Sequence, residues 1–246
     1  MKRVSLALAA SLLVIGSVSV TSGLNQAFAE ERTSDTKSQA PVIAPSSEAC
    51  LEKVRGMAET FPKMAEAGKE AVRTMIPDPA EFEKKLPAIE EVLKNKDAMN
   101  LKNYGGLSEA YLFKGDEEKA EKLLKSVSEG AKEILPENDN FLAAVKGDFG
   151  LAYYLNNKYD KAETYLGDAV SQLEKHYQPA LANNLVASYL CMTIIKDKQG
   201  KTEEAKGFAK KLVVLALKLR QEQPLPIPTT EAPAQAVPAE KEAAAK

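Results

Sequence analysis

The chain has 246 residues, with 33 Lys and Arg against 35 Asp and Glu, two Cys, one His and no Trp. A formal charge of −2 with both signs interspersed excludes the basic face or stripe of a nucleic-acid binder. A lone histidine, His176, leaves little from which to build a hydrolytic triad or a His-based metal site, so no catalytic residue, metal ligand or cofactor is expected.

The first segment reads as an export signal. Lys2 and Arg3 precede an apolar run from Val4 to Val20, and Ala27-Phe28-Ala29 supplies the small residues that a signal peptidase requires, with cleavage before Glu30. Ser17, Ser19, Thr21 and Ser22 interrupt the run, which argues against a retained membrane anchor. Removing residues 1–29 takes away Lys2 and Arg3 and no acid, moving the formal charge from −2 to −4. No later stretch has the length and purity of a membrane span. The mature chain is expected to be exported, to the periplasm or the cell surface.

Residues 30–47 are polar and carry Pro41 and Pro45, the composition of a disordered linker. Residues 223–246 carry Pro224, Pro226, Pro228, Pro233 and Pro238 among Ala and Glu, and cannot bury a core. Between them, 48–222 shows helical periodicity and no alternating strand pattern, which makes the fold class all-α. Within 48–97, Val54, Met57 and Phe61, then Phe82, Leu86, Ile89 and Leu93, repeat at helical spacing, with Pro62 placed to kink or restart the first helix. This part is expected to form a divergent N-terminal capping hairpin.

Residues 98–222 contain internal repeats. Tyr104, Leu107, Ser108, Tyr111, Ala120 and Leu124 recur as Lys146, Phe149, Gly150, Tyr153, Ala162 and Leu166, and a third copy runs through Ile195, Gly200, Ala205 and Ala209. Small residues at Ser108, Gly150, Ala120 and Ala162 permit two antiparallel helices to approach closely, and Gly115-Asp116 and Asn156-Asn157 suit the tight turns between them. The pattern of an aromatic residue, a large apolar plus a small residue, a Tyr, then Ala-x3-large apolar resembles the tetratricopeptide repeat. Ala120 to Ala162 spans 42 residues and Ala162 to Ala205 spans 43, against about 34 in the usual repeat. Pro136 and Pro179 fall about one turn later than that pattern places proline, so the second helices are longer, and the first helices are expected to take the rest. In repeat geometry this resembles the long repeats of kinesin light chains.

The resemblance implies a right-handed solenoid of about four antiparallel helical hairpins, acting as a scaffold for a protein or peptide partner. Its first helices line a concave groove, and register places Lys102, Glu109, Leu112, Ala144, Leu151 and Tyr154 there. On the last helix Val213, Val214 and Leu217 lie off the core face, and apolar surface at a solenoid end usually has a cover. The Pro-rich tail, a second copy giving a homodimer, or a partner are the occupants considered. Other readings of the same architecture are a binder of a small molecule or envelope fragment, and a self-assembling structural protein. Cys50 and Cys191 are allowed a disulfide in an exported chain, but bridging them requires the chain near Cys50 to fold across two hairpins. Cys191 reads as a small core residue. Glu117-Glu118 and Glu203-Glu204 read as first-turn acids that suit the helix dipole, and His176 as a helix C-terminal residue.

Overall fold

The computed structural model describes residues 45–58, 63, 70, 73, 74 and 76–222. The expected signal peptide, most of the first linker, the break at Pro62 and the Pro-rich tail lie outside them. The described residues are helical throughout, without strands. None of their helices is long and apolar enough to cross a membrane.

Among the described residues nine α-helices follow in order: α1 (Ser47–Ala58), α2 (Pro79–Glu83), α3 (Ile89–Lys94), α4 (Ala98–Lys114), α5 (Glu117–Ile134), α6 (Phe141–Leu155), α7 (Tyr159–Lys175), α8 (Ala182–Lys198) and α9 (Thr202–Glu222). The last six pair as α4–α5, α6–α7 and α8–α9. Each pair is joined by two or three residues, so its helices run antiparallel. The turns use Gly115 at φ 96°, Asn157 at φ 58° and Gly200 at φ 73°, the residue types that accept left-handed backbone. Asp97 and Asp116 cap α4 and α5, accepting from the amides of Asn100 at 3.0 Å and Lys119 at 3.1 Å. Each such cap contributes about 1 kcal/mol.

Ala120, Ala162 and Ala205 are fully buried, as is Ser108. A methyl group on Gly150 would lie 2.5 Å from Leu166 Cγ and 3.0 Å from its backbone nitrogen, so α6 and α7 meet at nearly backbone distance. Between hairpins, a methyl on Gly105 would strike the Phe141 ring at 2.2 Å, whereas Gly106 faces open space. The second helices α5 and α7 have 18 and 17 residues. The remaining extra length is shared between the first helices and the six-residue connectors 135–140 and 176–181, rather than falling to the first helices alone.

Hairpins stack through their first helices, α4 on α6 and α6 on α8. Helix α8 is covered on nearly every side and is correspondingly apolar all round. Its buried Ser188 and Thr193 donate their hydroxyls to the carbonyls four residues back, at 2.8 and 2.7 Å. Both cysteines are buried free thiols.

Among the described residues of 48–97, α1 lies against one hairpin and α2 and α3 against another. Helices α2 and α3 pack on α4, and α3 also on α5. Tyr104 donates to the Pro87 carbonyl at 2.8 Å, and Gly130 leaves room for Leu93. Helix α1 instead packs on α9 and α8, in the way that α8 packs on α7 and α6. It buries Cys50, Leu51 and Val54. Lys206 Nζ lies 2.5 Å from Glu48 Oε2, and Arg55 binds Asp197 through two hydrogen bonds at 2.9 and 2.7 Å. Glu48 therefore faces the second turn of α9 and Arg55 the end of α8. Both contacts lie at the turn end of the α8–α9 hairpin, on either side of Gly200. Lys114 Nζ of the first hairpin donates to the Arg73 carbonyl at 2.7 Å. The physical reason for the placement of α1 is that the outer face of the last hairpin needs an apolar cover, and α1 carries one.

The two classes of helical glycine should separate on thermal unfolding followed by circular dichroism. Gly150→Ala is expected to lower stability by about 1–3 kcal/mol through overpacking against Leu166. Gly167→Ala, in α7 with open space around it, is expected to raise stability by up to about 1 kcal/mol through helix propensity. Equal shifts in the two variants would contradict the close contact of α6 with α7.

Candidate functional site

The residues assigned by register to a groove on the first helices separate into two groups. Glu109, Leu112 and Tyr154 are buried in the protein's own core, which removes them from contact with any outside ligand in this state. Lys102, Ala144 and Leu151 are half-buried. Lys102 Nζ is 2.6 Å from Asp139 Oδ2 and 5.6 Å from the centre of the Phe141 ring, so it braces the connector between the first two hairpins. Of the six, only Lys102, Ala144 and Leu151 retain a surface.

Glu109 has a partner that its spacing does not reveal. Its carboxyl meets that of Asp148, one helix over, and the two share a hydrogen bond in the interior. Burial raises both above the ordinary carboxylate range, and for Glu109 the charge of Asp148 raises it further. Burial therefore favours a protonated carboxyl in this pair.

A second set of carboxylates links successive hairpins. Tyr111 and Lys119 both donate to Glu83 Oε2, each at 2.6 Å. Tyr153 donates to Glu121 Oε1 at 2.6 Å, where Lys161 also binds at 2.9 Å. Lys196 Nζ lies 2.8 Å from Glu163 Oε1, and Gln199 donates to Glu163 Oε2 at 2.7 Å. In each case a donor near the end of a first helix reaches an acid on the preceding unit. Glu121 and Glu163 directly follow the buried alanines Ala120 and Ala162. The Tyr153 hydroxyl does most to hold Glu121 below its ordinary range, and Lys196 does so for Glu163. At Glu83 burial pushes upward, but Lys119 and Tyr111 outweigh it.

The acids expected to serve helix dipoles also join this ladder. Glu117 accepts from Lys158 and Lys161, and Glu204 lies 2.5 Å from Lys196. After Ala205 the pattern reverses. Lys206 stands where Glu121 and Glu163 stand in the earlier repeats, and it meets Glu48 of α1. The sequence carried this signal, because an acid twice follows the repeat alanine and a base follows it the third time.

On the last helix, Val213 is fully buried, Leu217 half-buried and Val214 46% exposed. Lys206, Lys210, Val213 and Leu217 fall on one helical stripe by their spacing, and Lys206 and Lys210 lie beside α1. Helix α1 is thus a fourth occupant of the end face, beyond the tail, second copy and partner first considered. His176 sits at the C-terminal cap of α7, where its carbonyl accepts from the Asn140 side chain. Among the described residues no group of three or more His, Cys, Asp and Glu is placed to hold a metal. Comparison with protein-family models, curated proteins and solved structures finds no match.

The carboxyl pair implies a definite pH dependence. Native pKa values above the unfolded ones mean that the folded state holds protons that the unfolded chain releases. This contribution is complete below about pH 4 and is lost as pH rises through the native values, the Asp148 value being about 8. The melting temperature should therefore fall between pH 5 and pH 9. The Glu109→Gln, Asp148→Asn double variant should flatten that slope while leaving the pH 5 value nearly unchanged. An unaltered slope would mean that the pair does not hold the proton.

Proposed function

We propose that this is an exported, non-enzymatic interaction protein, built as a right-handed solenoid of tetratricopeptide-type hairpins that holds a protein or peptide partner. The observation that carries the reading is the contact repeated between units, with Tyr111 on Glu83, Tyr153 on Glu121 and Lys196 on Glu163. A chain that stacks like units through the same contact builds an extended surface, and extended surfaces serve recognition. The long second helices and the small residues at the hairpin contacts agree with the long-repeat form of the family. On this reading the hairpins α4–α5, α6–α7 and α8–α9 are three repeats, with α2 and α3 packed on the first and α1 on the last.

The partner-binding surface on this reading is the half-buried strip of Lys102, Ala144 and Leu151. Glu109, Leu112 and Tyr154 support it from beneath. The apolar run and Ala27-Phe28-Ala29 motif at the N-terminus direct the chain to the periplasm or cell surface, with cleavage before Glu30.

Cross-linking capture from the envelope of the producing cell tests both parts. Mature wild-type protein is compared with an Ala144→Glu, Leu151→Glu variant of equal helicity. The expected result is a protein retained by wild type and reduced at least about tenfold by the variant, the size of effect that interface hot spots give. Mass spectrometry of the endogenous protein should find Glu30 at its N-terminus. Equal capture by both proteins would remove the first-helix strip from the reading, and an intact Met1 would remove export.

A further inference from the structure

Helix α1 is an unusual cap because it comes from a part of the sequence far from the surface it covers. Arg55 and Asp197 are 142 residues apart. The helix is anchored by the buried Cys50, Leu51 and Val54, by the partly buried Met57 and Ala58, and by ion pairs of Glu48 with Lys206 and Arg55 with Asp197. A helix of 12 residues is marginal in water, so α1 owes its order to the face on which it lies. That face is in turn specific. Lys206 disfavours a further first helix ending in Lys, as α8 ends at Lys196, because two cations would meet there. What fits is a helix with an acid opposite Lys206, a base seven residues later opposite Asp197, and small apolar residues between, as in Glu48, Cys50, Leu51, Val54 and Arg55.

We propose that the end face formed by α8 and α9 is a docking site for an amphipathic helix of this pattern on a partner protein, and that α1 is the tethered occupant which such a partner displaces. The proposal deepens the interaction reading and rests on it. Tethering gives α1 an effective concentration on the order of millimolar. A partner must therefore bind the open face well below that level to compete, and α1 acts as a threshold against weak or incorrect helices. The thiol of Cys50 reports the state of the site, since it is 1% exposed when α1 is docked.

The test uses a fluorescent peptide of residues 45–58 carrying Cys50→Ser, titrated into the full mature chain. Leu51→Asp, which unseats α1 and opens the face, should bind the peptide at least about tenfold more tightly than wild type, as removal of a tethered competitor requires. Adding Lys206→Glu should weaken binding about fivefold, and a peptide carrying Glu48→Lys should restore it, as expected for a charge pair at an interface rim. In wild type, saturating peptide should accelerate alkylation of Cys50 but not of Cys191. If Leu51→Asp fails to fold, the Glu48→Lys, Arg55→Glu variant opens the face without touching the core, and the same titration applies. Absence of peptide binding by a folded, opened variant overturns the proposal. So does binding indifferent to the charge at position 206, which would mark an adventitious apolar patch. Wild type dimerising at micromolar concentration with exchange of α1 would assign the face to a second copy instead. Capture through Ala144 and Leu151 is independent of the peptide. Its survival would mean that this inference alone had failed, and its loss as well would end the interaction reading.

Discussion

Stacked helical hairpins bury their apolar stripes against one another, and this leaves two end faces that no further repeat covers. Each exposed end costs about 25 cal/mol for every Å² of apolar surface left in water, so the architecture depends on how its ends are closed. Here one end is closed by neighbouring sequence, α2 and α3, and the other by α1 from the far end of the chain. The rest follows from that closure. It brings Glu48 to Lys206 and buries Cys50.

The carboxylates show how position decides the behaviour of one chemical group. Glu121 and Glu163 lie at the edges of the stack, where hydroxyl and ammonium donors from the next unit keep them ionised. Glu109 and Asp148 lie between two first helices without a cation, and burial makes the protonated form the cheaper one. The edge acids set the register between hairpins. The interior pair makes the contact between α4 and α6 sensitive to alkali. These opposite shifts favour mildly acidic conditions, because the edge acids lose their advantage only below the ordinary carboxylate range.

For recognition, the consequence is a division of surfaces. The first helices keep a narrow half-buried strip, while their most apolar groove candidates, Leu112 and Tyr154, are spent on the core. The end face of α8 and α9 has the charge complementarity and the shape of a helix site, and it is already filled. On the proposed reading, α1 acts at that end as a threshold against competing helices.

Helix type, hairpin turns and the repeat itself were determined by the sequence alone, because they rest on local rules. Gly115, Asn157 and Gly200 mark the turns by backbone preference, and Ser108, Gly150, Ala120, Ala162 and Ala205 mark the contacts by size. The reversal from Glu121 and Glu163 to Lys206 was also present, but its meaning required knowing what faces each position. Where α1 docks, which groove residues are buried and which acids share a proton were decided by the tertiary structure. Those outcomes depend on groups brought together from distant parts of the chain, such as Glu48 with Lys206, Arg55 with Asp197 and Glu109 with Asp148. Helical periodicity identifies the apolar face of α1 but cannot name the surface that receives it, because burial is favourable against any complementary face within reach of the chain.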